Sequence, residues 1–491
     1  MFQGTGSDVG KSLIVAGLAR YFHHQGLRVA PFKPQNMSNN AHACTNGGEI
    51  GRAQALQARA AKIDATCDMN PILLKPEPDH YCQIIVQGKL WKRIRARDYA
   101  QYKPQLRDFV MEAFARLSRD YDLVLCEGAG SVAEVNLRQD DIANMGFAKA
   151  ANVPVILVGD IDRGGVIAAI AGTRTVLTQG DAQQIKGFII NKFRGDATLF
   201  QEALQIITDH SGWHSLGVVP WFDAAGTLPA EDSLGLYKTI DFTAKTHLRI
   251  AVPHLPHIAN FDDFDPLHSQ ENVTVRIIPQ GDALPQDADL LILPGSKSTL
   301  SDLRAVKACG WHHDIYAHYR QKKPIIGLCG GYQMLGCMIA DPQGIEGPVG
   351  EEAGLGLLRT HTILTQTKAV TKTSGADIAS GIPLTGYEIH CGQTTGEDCA
   401  NPWVRMASQQ GTVREDGAIS ADGLVRGCYM HGIFASDSYR THLLRGIKEG
   451  TYRDNAHEYA LEDCLDQLAA HLGQAVDMAR ILAIAGPTDS S

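Results

Sequence analysis

No apolar run in this 491-residue chain approaches the ~18–20 residues that a membrane-spanning helix needs. Its start lacks the basic-then-apolar pattern of a secretory signal. Positive charge is also short. The 45 Lys and Arg residues face 54 Asp and Glu, a formal charge of −9. That balance argues against a nucleic-acid partner, although a local basic pocket remains compatible with it. None of the 11 cysteines stands at CxxC spacing, which excludes a zinc knuckle or a dithiol redox pair. Free, mostly buried thiols in a reducing cytoplasm are the expectation. There is no repeat of ~20–50 residues and no low-complexity tract.

What is present is the balance of a globular enzyme, 44% hydrophobic and 20% charged. The length calls for about two to four domains. Short, continuously apolar runs at residues 123–125, 155–158 and 187–190 alternate with helix-period segments such as 102–117. This pattern predicts an α/β unit with a mostly parallel sheet covered on both faces, over residues 1–237. A Gly-, Pro-, Asp- and Thr-rich connector follows, its linker core placed at 238–247. A second α/β unit is expected over 248–450, with apolar runs at 248–252, 290–293 and 325–328. A helical C-terminal extension takes up 451–491.

The first unit opens on Gly4-Thr5-Gly6-Ser7-Asp8-Val9-Gly10-Lys11-Ser12, followed directly by apolar helix. Glycines let backbone N–H groups curl around phosphate oxygens, and the helix N-terminus adds partial positive charge. Lys11 suits the outer phosphates of ATP and the Ser12 hydroxyl suits Mg2+. Five residues separate Gly4 from Gly10, one more than in the common phosphate loop, and the spacing resembles the dethiobiotin-synthetase-like branch. Only Met1-Phe2-Gln3 precede the loop, so the first strand is expected to be short or incomplete.

Two acids are candidates for the same metal. Glu127 ends the buried strand Asp122-Leu-Val-Leu-Cys-Glu127 before a Gly-Ala-Gly turn, and ligand sites in parallel sheets lie at such carboxyl ends. Glu49, in Gly47-Gly48-Glu49-Ile50-Gly51-Arg52, is the second. Asn191 follows a strand where relatives of this branch read adenine, though a turn-forming Asn would look the same.

In the second unit, Pro324-Ile-Ile-Gly327-Leu328-Cys329-Gly330-Gly331-Tyr332-Gln333 runs from an apolar strand through G-x-C-x-G into a helix. A sharp strand-to-helix turn exposes the central side chain, and a helix N-terminus favours the thiolate. The segment resembles the class I glutamine amidotransferase family, whose cysteine attacks the side-chain amide of glutamine and releases ammonia. About a hundred residues downstream, Tyr429-Met430-His431-Gly432 places His431 where that family keeps its base. Many relatives carry a glutamate two residues beyond, but here that position is Ile433, so no third member can be assigned. The resemblance further implies backbone oxyanion donors at Gly295 and Gly330.

Together the units are similar to the cobyric acid synthase family over nearly the whole chain. The segments that carry the likeness are Pro31-Phe-Lys-Pro-Gln-Asn-Met-Ser-Asn-Asn40, Glu49-Ile-Gly-Arg-Ala-Gln54, Met69-Asn-Pro-Ile-Leu-Leu-Lys-Pro76, Asn136-Leu-Arg…Asp140-Asp-Ile-Ala-Asn-Met145, Asn260-Phe-Asp-Asp-Phe-Asp-Pro266 and Gly386-Tyr-Glu-Ile-His390. The likeness implies two doubly wound domains, P-loop NTPase-like and then amidotransferase-like. It implies ATP- and glutamine-dependent amidation, with Mg2+, of the b, d, e and g carboxylates of a corrinoid, adenosylcobyrinic acid a,c-diamide, by way of acyl phosphates. Lys33 then either neutralises phosphate charge or is a surface lysine. Glu388 and His390 either face substrate or finish a strand. The rivals are cobyrinic acid a,c-diamide synthase, and a non-catalytic P-loop regulator with an amidotransferase-like module. The 31–40 and 69–76 segments disfavour the first, and an intact Cys329 and His431 disfavour the second.

Overall fold

The computed structural model describes residues 1–77, 80–229, 247–408, 413–454 and 456–486. The linker expected at 238–247 lies outside these apart from His247. Six strands form the first sheet, in the order His214–Pro220, Ile185–Phe193, Val155–Asp160, Phe2–Gly4, Leu123–Ser131 and Val29–Phe32. Every neighbouring pair is parallel. All six residues of Val155–Asp160 are buried, the composition a strand covered on both faces requires. The first strand is three residues long yet lies at the centre of the sheet, between Val155–Asp160 and Leu123–Ser131.

Helix α1 (Lys11–His24) springs from the end of that strand and packs against the first sheet. Helix α2 (Arg52–Ala60) lies beside α1. The chain returns to α1 at its end, where His457–Ala475 packs along it. A Cβ at Gly17 would come within 2.5 Å of Leu472 and 2.8 Å of Leu468, so the missing side chain lets the two helices approach closely. Burying leucines such as Leu465, Leu468 and Leu472 stabilises this seam by about 1.5–3 kcal/mol each.

The second unit is built on the order Val273–Ile278, Leu248–Pro253, Leu290–Leu293, Ile325–Leu328, Val425–Cys428 and Ala418–Ile419. Its neighbours are parallel except the last pair. Two further sheets were not foreseen from the sequence. A four-stranded one joins Gln35–Met37, Ile72–Pro76, Tyr81–Val86 and Lys89–Arg95. A larger one is organised around the antiparallel pair Thr360–Asp377 and Pro383–Gly396. Among the described residues, no helix is long and apolar enough to cross a membrane.

Candidate active sites

The loop between the first strand and α1 closes around the Lys11 ammonium, which donates to the carbonyls of Gly6 at 3.1 Å and Gly130 at 3.0 Å. Gly10 has φ 93°, and a Cβ there would meet the Asn191 amide nitrogen at 2.2 Å, so only glycine fits. Ser7, Asp8, Gly10, Lys11 and Ser12 line a cavity of about 1270 Å3, together with Lys33 and Glu127. Thr5 and Gly6 are not among the lining residues, and the Thr5 N–H is spent on the Val158 carbonyl at 3.0 Å. Gly4 closes the strand, where a Cβ would stand 2.7 Å from the Gly6 carbonyl oxygen.

Glu127 is buried midway along the strand Leu123–Ser131, which runs on past the point where the sequence suggested it would end, and gathers three donors. Ser12 Oγ and Lys33 Nζ each reach it at 2.8 Å, and Gln57 Nε2 reaches it at 2.6 Å. Lys33 is therefore no surface lysine: it is 5% exposed and bound to the Glu127 carboxylate.

No group of three or more His, Cys, Asp or Glu among the described residues is arranged to hold a metal. Mg2+ seldom needs such a cage, because it takes one or two protein oxygens and completes its octahedron with water and phosphate. A hydroxyl and a carboxylate 2.8 Å apart at a phosphate loop fit that habit.

Two residues expected at this site stand elsewhere. Glu49 is buried against Lys75 Nζ at 2.6 Å and does not line the cavity. Its charge is met by Lys75, from the neighbouring four-stranded sheet. Asn191 spends its amide nitrogen on the Val9 carbonyl at 2.8 Å and holds the loop from behind. It too is absent from the cavity lining.

The second site is built on a strained turn. Cys329 follows Ile325–Leu328 with φ 50° and ψ −107°, on the positive side that L-residues avoid. The surroundings enforce it. A Cβ at Gly331 would lie 2.1 Å from the Leu293 carbonyl, and one at Gly327 would lie 2.7 Å from that of Gly331. Cys329 is 7% exposed and lines a small pocket of about 40 Å3, with His431 and Gly295. Gly330 begins the short helix after the nucleophile and packs on Ser296, beside Gly295.

The residue that orients His431 escaped the sequence. His431 Nδ1 lies 2.7 Å from Asp263 Oδ2, and Asp263 Oδ1 accepts the Gly432 N–H at 2.6 Å. Nδ1 is thereby the protonated nitrogen, and Nε2, without a hydrogen bond of normal length, is left for the sulfur. Burial works to lower the imidazole pKa. The Asp263 carboxylate and the facing Cys329 sulfur outweigh it and hold the ring well above its ordinary value. Ile433, where a glutamate was missed, is fully buried core. Asp263 lies in the Asn260–Pro266 segment, which carried the family likeness but no sign of which of its acids meets the histidine.

The pocket is not made by one unit alone. Asn39 and Lys75 of the first unit line it beside Cys329. His390 also lines it, stacked on Tyr429 at 3.7 Å and donating to Glu388 at 3.2 Å. Glu388 also binds Arg414 and stays out of the pocket.

Residues 1–235 match the family model of a CobQ/CobB/MinD/ParA nucleotide binding domain. Residues 249–439 match that of a CobB/CobQ-like glutamine amidotransferase domain. The chain is 52% identical over 487 residues to a cobyric acid synthase of Methylorubrum populi, with 99% of each covered. It is 53% identical over 485 residues to a cobyric acid synthase of Cereibacter sphaeroides, again with 99% of each covered. A third, from Azorhizobium caulinodans, is 51% identical over 485 residues and 99% of each chain.

Proposed function

We propose a division of labour for this chain, which belongs to the cobyric acid synthase family. As a member it is an ATP-dependent, glutamine-using ligase of cobalamin biosynthesis. Residues 1–237, joined by the returning C-terminal helices, activate the corrinoid carboxylates; residues 248–450 supply nitrogen.

At the elbow, the Cys329 sulfur attacks the side-chain carbonyl carbon of glutamine. Backbone N–H groups of Gly295 and Gly330 receive the developing oxyanion. His431 carries a proton to the departing ammonia, while Asp263 keeps the ring in the tautomer that can do so. Water, deprotonated by the same ring, then cleaves the thioester to glutamate and restores the thiol.

At the other site, Lys11 and the loop N–H groups hold the ATP phosphates. Ser12 and Glu127 would hold Mg2+, which when bound neutralises phosphate charge. Lys33 keeps Glu127 in place. A corrinoid carboxylate takes the terminal phosphoryl group, and ammonia displaces phosphate from the acyl phosphate to leave an amide. The b, d, e and g carboxylates of adenosylcobyrinic acid a,c-diamide are the substrates this reading assigns.

One observation carries the reading. Leu74 and Lys75, consecutive in one strand, line the phosphate cavity and the nucleophile pocket respectively. The walls of the two cavities therefore meet at this one strand. Mass spectrometry after incubation with the a,c-diamide, ATP, Mg2+ and glutamine tests it. Conversion of all of b, d, e and g to amides is expected. No gain of amides on the a,c-diamide, with amidation confined to a and c when the unamidated precursor is supplied in its place, would sink it.

A further inference from the structure

Helix α2 is nine residues long and touches both sites. At its first residue the Arg52 guanidinium crosses between the units to Asp262, at 2.8 Å. Asp262 is the chain neighbour of Asp263, the partner of His431. Tyr387 binds this pair from above: its hydroxyl donates to Asp262 at 3.4 Å and its ring stacks on His431 at 5.2 Å. The backbones of Tyr387 and His431 also pair, at 2.8 and 3.1 Å. His42 supports Arg52 from its own side at 3.1 Å and packs its ring on Tyr387.

Five positions along α2, about 7.5 Å of helical rise, Gln57 meets the phosphate site. Its amide nitrogen donates to Glu127 at 2.6 Å and to the Ser12 carbonyl at 3.2 Å. A short helix is stiff, so displacement at one end is felt at the other.

Charge explains why the glutamine site depends on this contact. Asp262 and Asp263 are buried, and Asp265 stands beside them, three carboxylates within four residues of chain. Like charges so close cannot all stay ionised unaided. Arg52 faces all three, together with Tyr387. Burial raises Asp262, against which Arg52 works. Burial and Asp262 push Asp265 up to about 7. Without the guanidinium, the carboxylates beside the Asp263–His431 pair lose the cation that bridges them to the first unit.

We infer that Arg52 is a positioning residue for the glutaminase histidine, and that α2 couples the nucleotide site to it. The inference rests on the division of labour proposed above. The full-length protein tests it through Arg52→Met, which keeps length and removes charge, and Arg52→Lys, which restores charge. Glutaminase is measured with and without ATP–Mg2+, across pH, beside amidation driven by ammonia.

In Arg52→Met, glutaminase kcat should fall by at least about fivefold, with KM for glutamine little changed. Its alkaline limb should move to higher pH, because a lost cation raises the proton affinity of its neighbours, any response to ATP–Mg2+ should vanish, and ammonia-driven amidation should persist. Arg52→Lys should recover part of the rate. Should Arg52→Met fail to fold, Arg52→Gln removes the same charge with a polar side chain and carries the same expectation. Glutaminase unchanged in a folded variant, or lost in step with ammonia-driven amidation, would overturn the inference. A wild type without glutaminase activity would instead overturn the division of labour, and this inference with it.

Discussion

Asp263 and His431 stand 168 residues apart in the chain and meet at 2.7 Å through the imidazole Nδ1, each 1% exposed. The pair replaces the glutamate that many amidotransferases place two residues after the histidine. A carboxylate from another loop does the same electrostatic work, because what the ring needs is a charge at Nδ1 and not a sequence position.

Asp263→Asn should therefore act on the ring. The carboxylate is what raises the imidazole above its ordinary pKa, so its removal lets burial dominate and the pKa fall. A protonated ring facing sulfur then survives only to lower pH, and the alkaline limb of glutaminase should retreat accordingly. We expect kcat to fall by about 10²- to 10⁴-fold, read from a rate profile over about pH 5 to 10. An unmoved alkaline limb would mean that Asp263 only packs.

Cys329→Ala should abolish glutaminase and glutamine-driven amidation while sparing ATP-dependent amidation from added ammonium salts. The cysteine makes no contact with the phosphate cavity, whose lining it does not share. Loss of the ammonia-driven reaction in a well-folded variant would contradict separate sites.

Glu127→Gln is the converse test. It keeps the shape and a hydrogen-bonding oxygen but removes the charge that Ser12, Lys33 and Gln57 surround. Amidation should drop by about 10²-fold with either nitrogen source, and basal glutaminase without nucleotide should remain. Parallel loss of both activities would point to a folding defect.

Glu462→Gln should loosen the C-terminal helix from α1. Glu462 accepts from Arg20 at 2.6 Å and Arg59 at 2.8 Å, and also binds Lys62. Burial pushes its carboxyl up, but Lys62, Arg20 and Arg59 hold it down at about 2. A depressed carboxylate stabilises the fold fully above its unfolded value near 4.5 and loses that contribution as pH falls through about 2. The group is 27% exposed, so screening leaves about 1–2 kcal/mol. Thermal melts of wild type and variant should differ at neutral pH and converge toward about pH 2.

How much of this was legible varies with the range of the interactions. The parallel strands were, because a strand buried on both faces is apolar at every position, as in Leu290–Leu293 and Ile325–Leu328. The antiparallel hairpin of Thr360–Asp377 with Pro383–Gly396 was not, because it is rich in Thr and Gly and half-buried. Its stability comes from pairing with a partner strand, which no local pattern states. Asn191 was ambiguous in another way: an Asn near the end of a strand serves equally well to read a base or to hold a neighbouring loop carbonyl, as it does that of Val9.

The sequence by itself determined the parts whose chemistry is local. The phosphate loop, the cysteine elbow and their helices each need particular residues within one turn of chain, since backbone conformation is set by immediate neighbours. Only the tertiary structure decided which distant charges meet. It paired Asp263 with His431, Glu49 with Lys75 and Arg52 with Asp262, and it made the walls of the two pockets meet at Leu74 and Lys75. Electrostatic partners are selected by distance in space and by burial, neither of which sequence separation records.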